Sequence, residues 1–450
     1  MSSPMKESTT GEIADHGQDS RMDDDTAAIL AFPREVLIMI IKLAVLDPNA
    51  KLVVDPFATP YSSEAGKTIA LTCRLLYRLV LPFLYHSFLL DYPGGKLTRS
   101  WKMRYLDRTI ANNPSLGQYC RNLSIYIADA NPQLDEERYV EWLPRWLSGV
   151  RNLKVRGDPY GMPDIRAWSF MRHCSKHMSG IETLSLGGWR ALYQQQIFDH
   201  VYMPSLRSLH LYAVREDPDQ GPSLHPDRYG SARFTKLVLL AYGESTPALE
   251  ELLKWPRKLD LFYLSYYFHP KNNIKLPMMS TLLRSHKDTL RVISVSHLTL
   301  GGGRVPDLSG FPVLESLSIC RCDMTKSLEW PTDDAHRLLA PRLRVFQWNF
   351  RLPHAEHPLL TDFGDKEEHW LRVFSEVAMA TRAALKTIKV IFEPLKWEYV
   401  DGDESPWDRM NKIRNDVAKH GLRITYSTIP ECEEKLTPEE MLEQQVAASW

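Results

Sequence analysis

The spacing of apolar residues changes character near residue 120. Upstream, Val36, Leu37, Ile40, Ile41, Ala44 and Val45 recur at helical spacing, which predicts a helix with Pro33 in its first turn. Ile38 and Met39 add apolar surface on another side. A short helix that is apolar around most of its circumference has to be covered on most sides, and a small domain's own core does not reach that far. A partner surface is therefore expected here. Residues 47–66 contain three prolines and read as a loop. A second helix is expected from Lys67 to Leu81, with Ile69, Cys73, Leu76 and Val80 on one side and Pro82 interrupting or restarting it. A third helical pattern covers Trp101 to Asn112.

Downstream, a template of the form apolar-x-x-apolar-x-apolar recurs. Its copies are Cys120/Leu123/Ile125, Val150/Leu153/Val155, Ile181/Leu184/Leu186, Leu206/Leu209/Leu211 and Phe234/Leu237/Leu239. It continues as Leu290/Ile293/Val295, Leu314/Leu317/Ile319, Leu343/Phe346/Trp348 and Leu385/Ile388/Val390, with a defective copy at Pro256/Leu259/Leu261. A three-point template of this kind arises by chance about five times over such a length, so the count alone is weak. A longer shared phrase carries more weight. Met203-Pro204-Ser205-Leu206-Arg207-Ser208-Leu209 matches Phe311-Pro312-Val313-Leu314-Glu315-Ser316-Leu317 and Ala340-Pro341-Arg342-Leu343-Arg344-Val345-Phe346. Proline ends the preceding segment, and a short strand then alternates in and out. Cys322 falls where leucine-rich repeats carry Asn or Cys, and the steps between copies are near or slightly above that repeat's length of about 20–29 residues. Such units stack because none buries its apolar face alone. Residues 367–385 and 404–419 read as amphipathic helices, and Leu422, Ile424 and Tyr426 as a last strand.

Charge refines this division. The 450 residues hold 55 basic and 56 acidic side chains, a net of −1. That balance excludes a strongly basic nucleic-acid coat. It hides two acidic tails: residues 1–28 hold two basic against seven acidic residues, and residues 431–450 one against six. Residues 1–28 are also poor in aromatics, so disorder is expected there. They lack the apolar core of a signal peptide, and no run of apolar residues is long enough to span a membrane. The six cysteines are scattered and form no disulfide framework, which favours reduced thiols and a cytoplasmic or nuclear setting.

Two segments of the N-terminal block carry a family resemblance. Phe32-Pro33-Arg34-Glu35-Val36-Leu37-Ile38-Met39-Ile40-Ile41 resembles the opening of an F-box, usually Leu-Pro-x-Glu-Ile/Leu-x-x-x-Ile. Ile69-Ala70-Leu71-Thr72-Cys73-Arg74-Leu75-Leu76 resembles its second half, including the Cys-Arg pair. Leu81-Pro82-Phe83-Leu84-Tyr85-His86-Ser87-Phe88 and the stretch 110–125 resemble the continuation common in fungal F-box proteins. Two departures are Phe32 for the usual Leu and a longer spacer, 47–66, between the halves. The resemblance implies an α/β chain: an all-helical F-box at 29–90, a helical linker at 91–119 and an irregular leucine-rich-repeat solenoid at 120–430. In the family, the F-box binds the acidic Skp-family adaptor of a cullin–RING (SCF-type) ubiquitin ligase, and the repeats hold a substrate protein for ubiquitin-dependent degradation. The matched adaptor-binding positions are Phe32, Pro33, Glu35, Val36, Ile40, Leu71, Cys73, Arg74 and Leu75. Residues 29–110 carry eleven basic and six acidic side chains, which suits an acidic partner.

The residue between the last two apolar positions of each copy points to the concave side. This makes His210, Asp260, Ser294, Ser318 and Gln347, flanked by Tyr212 and Phe262, the candidate substrate contacts. No catalytic group is assigned, because neither G-x-S-x-G nor H-E-x-x-H occurs. Gly301-Gly302-Gly303-Arg304 lacks a phosphate-loop pattern. No metal or cofactor is expected either. His173, Cys174 and His177 make an incomplete zinc set, while Cys320 and Cys322, one residue apart on an expected strand, should face opposite sides, with Cys322 in the core. Neither nucleic acid nor a membrane is an expected partner. The competing expectation is a scaffold with the same two modules and no ligase role.

Overall fold

The computed structural model describes residues 32–46, 61–90, 105–106, 108–127, 136–163, 165–217, 224–266, 274–298, 304–351, 359–394 and 404–427. The acidic segments 1–28 and 431–450, most of the 47–66 spacer, much of the 91–119 linker and the 301–303 glycine run lie outside the described residues. The chain forms two compact units, 1–86 and 87–450.

The described residues of the first unit form three helices: α1 (Arg34–Val45), α2 (Ser63–Ala70) and α3 (Arg74–Leu84). The Pro33 carbonyl accepts from Val36 N (3.0 Å) and Leu37 N (3.1 Å), which closes the first turn of α1. Ser62 caps α2, its side chain accepting from Ala65 N at 3.3 Å. The single helix expected over Lys67–Leu81 is two helices. Cys73 takes an extended conformation (φ −155°), and its Sγ accepts from Leu76 N at 3.5 Å as the N-cap of α3. Pro82 lies inside α3 near its end, where the missing N–H costs one bond without breaking the helix. Leu37, Ile41, Val45, Leu79 and Val80 form the core, with Tyr61 set edge-on to Phe83 at 5.1 Å. The ends of the spacer meet. Leu46 and Tyr61 form an antiparallel bridge, and Ser62 N donates to Val45 O at 2.7 Å.

The second unit is mixed α/β around one twelve-stranded parallel sheet whose spatial order is its sequence order. The strands are β1 (Ser87–Leu90), β2 (Asn122–Ile127), β3 (Asn152–Gly157), β4 (Thr183–Gly187), β5 (Ser208–Tyr212) and β6 (Lys236–Tyr242). They continue as β7 (Leu261–Tyr266), β8 (Val292–Ser296), β9 (Ser316–Cys320), β10 (Val345–Asn349), β11 (Thr387–Ile391) and β12 (Arg423–Tyr426). Strand β1 falls inside the span expected for the helical module but pairs with β2, so the boundary sits at His86.

One file of side chains runs through the sheet in register: Phe88, Leu123, Leu153, Leu184, Leu209, Leu237, Phe262, Ile293, Leu317, Phe346, Ile388 and Ile424. From Leu123 onward every member is buried. Each side chain packs on its neighbour across about 4.8 Å of strand spacing, so the file is continuous apolar core. The copy expected at Pro256/Leu259/Leu261 is displaced. The pairing register puts Phe262 in the file, giving Leu259/Phe262/Leu264, an intact copy. Phe262 is 0% exposed and Asp260 precedes the strand, so neither stands on the open face; Tyr263 does. The register slipped because Leu259 and Leu261 also fit an alternating pattern, and a slip of this kind flips side chains between faces.

The residue four beyond the buried file has positive φ in four repeats: just after the strand at Gly188 (78°), Ala213 (55°) and His297 (61°), and inside β6, at its register shift, at Ala241 (48°). Only one is glycine, so this left-handed turn left no mark in the sequence. Helices carry the chain back between strands. The longest, Asp365–Ala380, occupies the long step between β10 and β11. Its Trp370 and Phe374 stack on each other (5.0 Å, 10°) and pack on Phe346 and Trp348. The larger step is filled with larger side chains. The helix expected at 404–419 is Pro406–Ala418, and the expected last strand is β12. No helix among the described residues is long and apolar enough to cross a membrane.

Candidate docking surfaces

On α1 the side chains divide into two stripes. Leu37, Ile41 and Val45 face inward at i, i+4, i+8. Phe32, Val36, Met39, Ile40 and Leu43 stay exposed. The turn between α2 and α3 adds Leu71, 87% exposed, and the first turn of α3 adds Leu75. Helix length does not explain this. Three short helices enclose only a small core, and among the described residues of the unit nothing covers the rest of their apolar surface. Scattered apolar residues on a surface are ordinary, whereas these are gathered on one helix and the turn beside it.

Eight of the nine sequence-derived adaptor positions are exposed: Phe32, Pro33, Glu35, Val36, Ile40, Leu71, Arg74 and Leu75. Cys73 is half-buried as the cap of α3. Pro33 and Glu35 also have local roles. Pro33 opens α1, and Glu35 places a carboxylate at the positive end of that helix. Met39 and Leu43 were not among the motif positions, yet they continue the same exposed stripe by one turn. Their i+4 spacing was the signal that could have found them.

In the second unit the open-face row is set by the residue between the two buried positions of each strand. In register it reads Ser124, Lys154, Ser185, His210, Val238, Tyr263, Ser294, Ser318, Gln347, Lys389 and Thr425. His210, Ser294, Ser318 and Gln347 stand where the sequence places them. Tyr212 lies two residues beyond His210 on the same face and is exposed; Gly187 makes room for it, since a Cβ there would fall 2.7 Å from Tyr212 Cβ. Within β5, Ser208 Oγ lies 2.9 Å from His210 Nε2; between neighbouring strands, Gln347 Nε2 donates to Ser318 Oγ at 3.1 Å.

The N-terminal ends of the strands hold a second feature. A groove of about 500 Å³ is lined by Arg121, Arg151, Arg207 and Arg233 together with Glu182. Arg121 Nη1 donates to Gly149 O at 2.7 Å, and Arg151 pairs with Glu182 at 2.5 Å. Arg207 and Arg233 make no ion pair among the described residues. The residue two before the buried file is basic at Arg121, Arg151, Arg207, Arg291, Arg344 and Lys386 and acidic at Glu182, Asp260 and Glu315, with Arg151 paired to Glu182 and Arg291 to Glu315, so the edge is of mixed charge with a basic excess.

The remaining thiols and imidazoles are mostly structural. Burial pushes the Cys120 thiol up to about 12 and the Cys174 thiol well above its ordinary value, which keeps both protonated and inert. His173 and His177 lie ring over ring at 6.3 Å beside Cys174, which is fully enclosed in the core. Cys320 and Cys322 do not face opposite sides. The strand ends at Cys320, and the 3-10 turn Arg321–Met324 brings Cys322 Sγ within 3.1 Å of Cys320 Sγ. Cys322 is half-buried and outside the hydrophobic core.

No protein-family model matches the chain, and no curated protein matches it.

Proposed function

We propose that this chain is the substrate-recognition subunit of a cullin–RING (SCF-type) ubiquitin ligase. The helical unit is an F-box that docks the Skp-family adaptor. The second unit is a leucine-rich-repeat array that holds the protein to be ubiquitinated. Catalysis belongs to other subunits of the complex. The observation that carries this reading is the coincidence of motif and exposure. The apolar positions matching the F-box pattern, Phe32, Val36, Ile40, Leu71 and Leu75, are left in solvent while their neighbours Leu37, Ile41 and Val45 make the core. A unit evolved only for its own stability gains nothing from that arrangement, whereas an adaptor groove would bury it.

The array reading rests on the parallel sheet in sequence order and its continuous buried file. Each strand adds one position to the open row, so a bound target would be read by His210, Tyr212, Tyr263, Ser294, Ser318 and Gln347 in succession. The basic groove at Arg207 and Arg233 favours a target with an acidic segment.

The test is reconstitution with recombinant adaptor and cullin. Wild type should capture both, and Val36→Asp/Leu71→Asp should capture neither while remaining folded. Adaptor capture without cullin would favour a scaffold with no ligase role. Equal capture by wild type and the double variant would remove the docking assignment.

A further inference from the structure

Among the described residues, one group of potential metal ligands brings three donor atoms within 4.8 Å of one another: His297, Cys320 and Cys322. They come from two successive repeats. His297 sits in the left-handed turn after β8, and Cys320 closes β9 with Cys322 in the turn that follows. His297 Nδ1 lies 3.8 Å from each sulfur, and the sulfurs are 3.1 Å apart. We propose that these three side chains form a zinc site that ties the turn after β8 to the turn after β9.

The geometry fits the ion closely. Tetrahedral Zn²⁺ with Zn–S bonds of about 2.3 Å and Zn–N of about 2.0 Å holds nitrogen about 3.5 Å from sulfur and the sulfurs about 3.8 Å apart. The imidazole nitrogen, 3.8 Å from each sulfur, has to close in by about 0.3 Å, and the sulfurs, 3.1 Å apart, have to separate by about 0.7 Å; Cys322, half-buried on a short turn, is the side chain with room to move. The donor set of two thiols and one imidazole is also the chemistry of zinc rather than of hard, oxygen-seeking cations. Asp323 lies beside the cluster, its Oδ1 3.8 Å from Cys322 Sγ, but that oxygen already accepts from Leu298 N at 2.8 Å. Water completes the coordination. Binding converts two thiols to thiolates and releases two protons to solvent, with the His297 proton on Nε2. Cys320 is buried and His297 half-buried, so the ion enters past Cys322.

Equilibrium dialysis of the reduced full-length protein against Zn²⁺ tests this, with Co²⁺ as a spectroscopic probe. One equivalent of Zn²⁺ should be retained, and Co²⁺ should give thiolate charge-transfer bands in the near ultraviolet. Cys322→Ser and His297→Asn should each weaken binding by at least about tenfold. Asn tolerates the left-handed turn, so the second variant keeps the fold. His173→Gln/His177→Gln should bind as wild type. Undiminished binding in Cys322→Ser and His297→Asn would overturn the site. So would failure of the reduced protein to bind Zn²⁺, including the case where Cys320 and Cys322 are recovered as a disulfide, or uptake of Cu⁺ alone.

Discussion

The two units treat apolar surface in opposite ways. In the sheet unit the central file is buried at every position from Leu123 to Ile424, and aromatic side chains fill the wide C-terminal step. In the helical unit five core residues are outnumbered by exposed ones, from Phe32 to Leu75. Stacking explains the first case, because each strand finds its cover in the next. The second has no next strand. Among the described residues Leu71 is left almost fully in water, and this contrast is the physical basis for the proposal that one unit docks and the other displays.

The contrast can be broken most forcefully in the core of the sheet unit. Trp348→Ala, at a site with no exposure, should cost about 3–5 kcal/mol in denaturant unfolding. Leu37→Ala should cost about 2–4 kcal/mol of the helical unit's smaller stability and abolish adaptor capture by unfolding it. Ile40→Asp is the informative counterpart. It should shift stability by less than about 0.5 kcal/mol, yet lose adaptor capture. If Ile40→Asp unfolds the unit, the exposed stripe is core and the contrast collapses. Cys73→Ala should cost about 1 kcal/mol through the lost cap of α3, and Cys73→Ser should recover it.

The smallest effect is in pH. His286 is buried with Nε2 2.8 Å from Leu253 O, and burial lowers its pKa below 6.5. The unfolded chain then binds more protons, so its contribution to stability is full above pH 6.5 and declines as pH falls through the folded-state value. His286→Gln should flatten that acid limb in thermal melts of the full chain.

Much of the fold was legible in the sequence, because the repeat imposes its spacing on residues that have to be apolar. Leu209, Leu317 and Phe346 were found by a shared phrase and stand in the file. What was missed depended on backbone geometry. Leu259 and Leu261 mimic the alternation of a strand that begins only at Leu261, and this spacing places Phe262 on the open face where the register puts Tyr263. Cys322 was assigned to a strand that ends two residues earlier, and this hid its contact with Cys320. The split between α2 and α3 was masked by apolar spacing that ran through it, since an N-cap thiol carries no periodic signal. The exposed stripe through Val36 and Ile40 was legible because the apolar pattern of that helix runs beyond the one face its own core takes up.

The closure of the spacer has a practical consequence. Leu46 pairs with Tyr61, so the chain leaves α1 and enters α2 at one fixed point. The entropy of closing a chain segment between fixed ends grows only with the logarithm of its length, about 0.6 kcal/mol per doubling. A short flexible insertion between these two residues should therefore cost the helical unit well under about 1 kcal/mol, which makes the position a practical port for a tag or reporter.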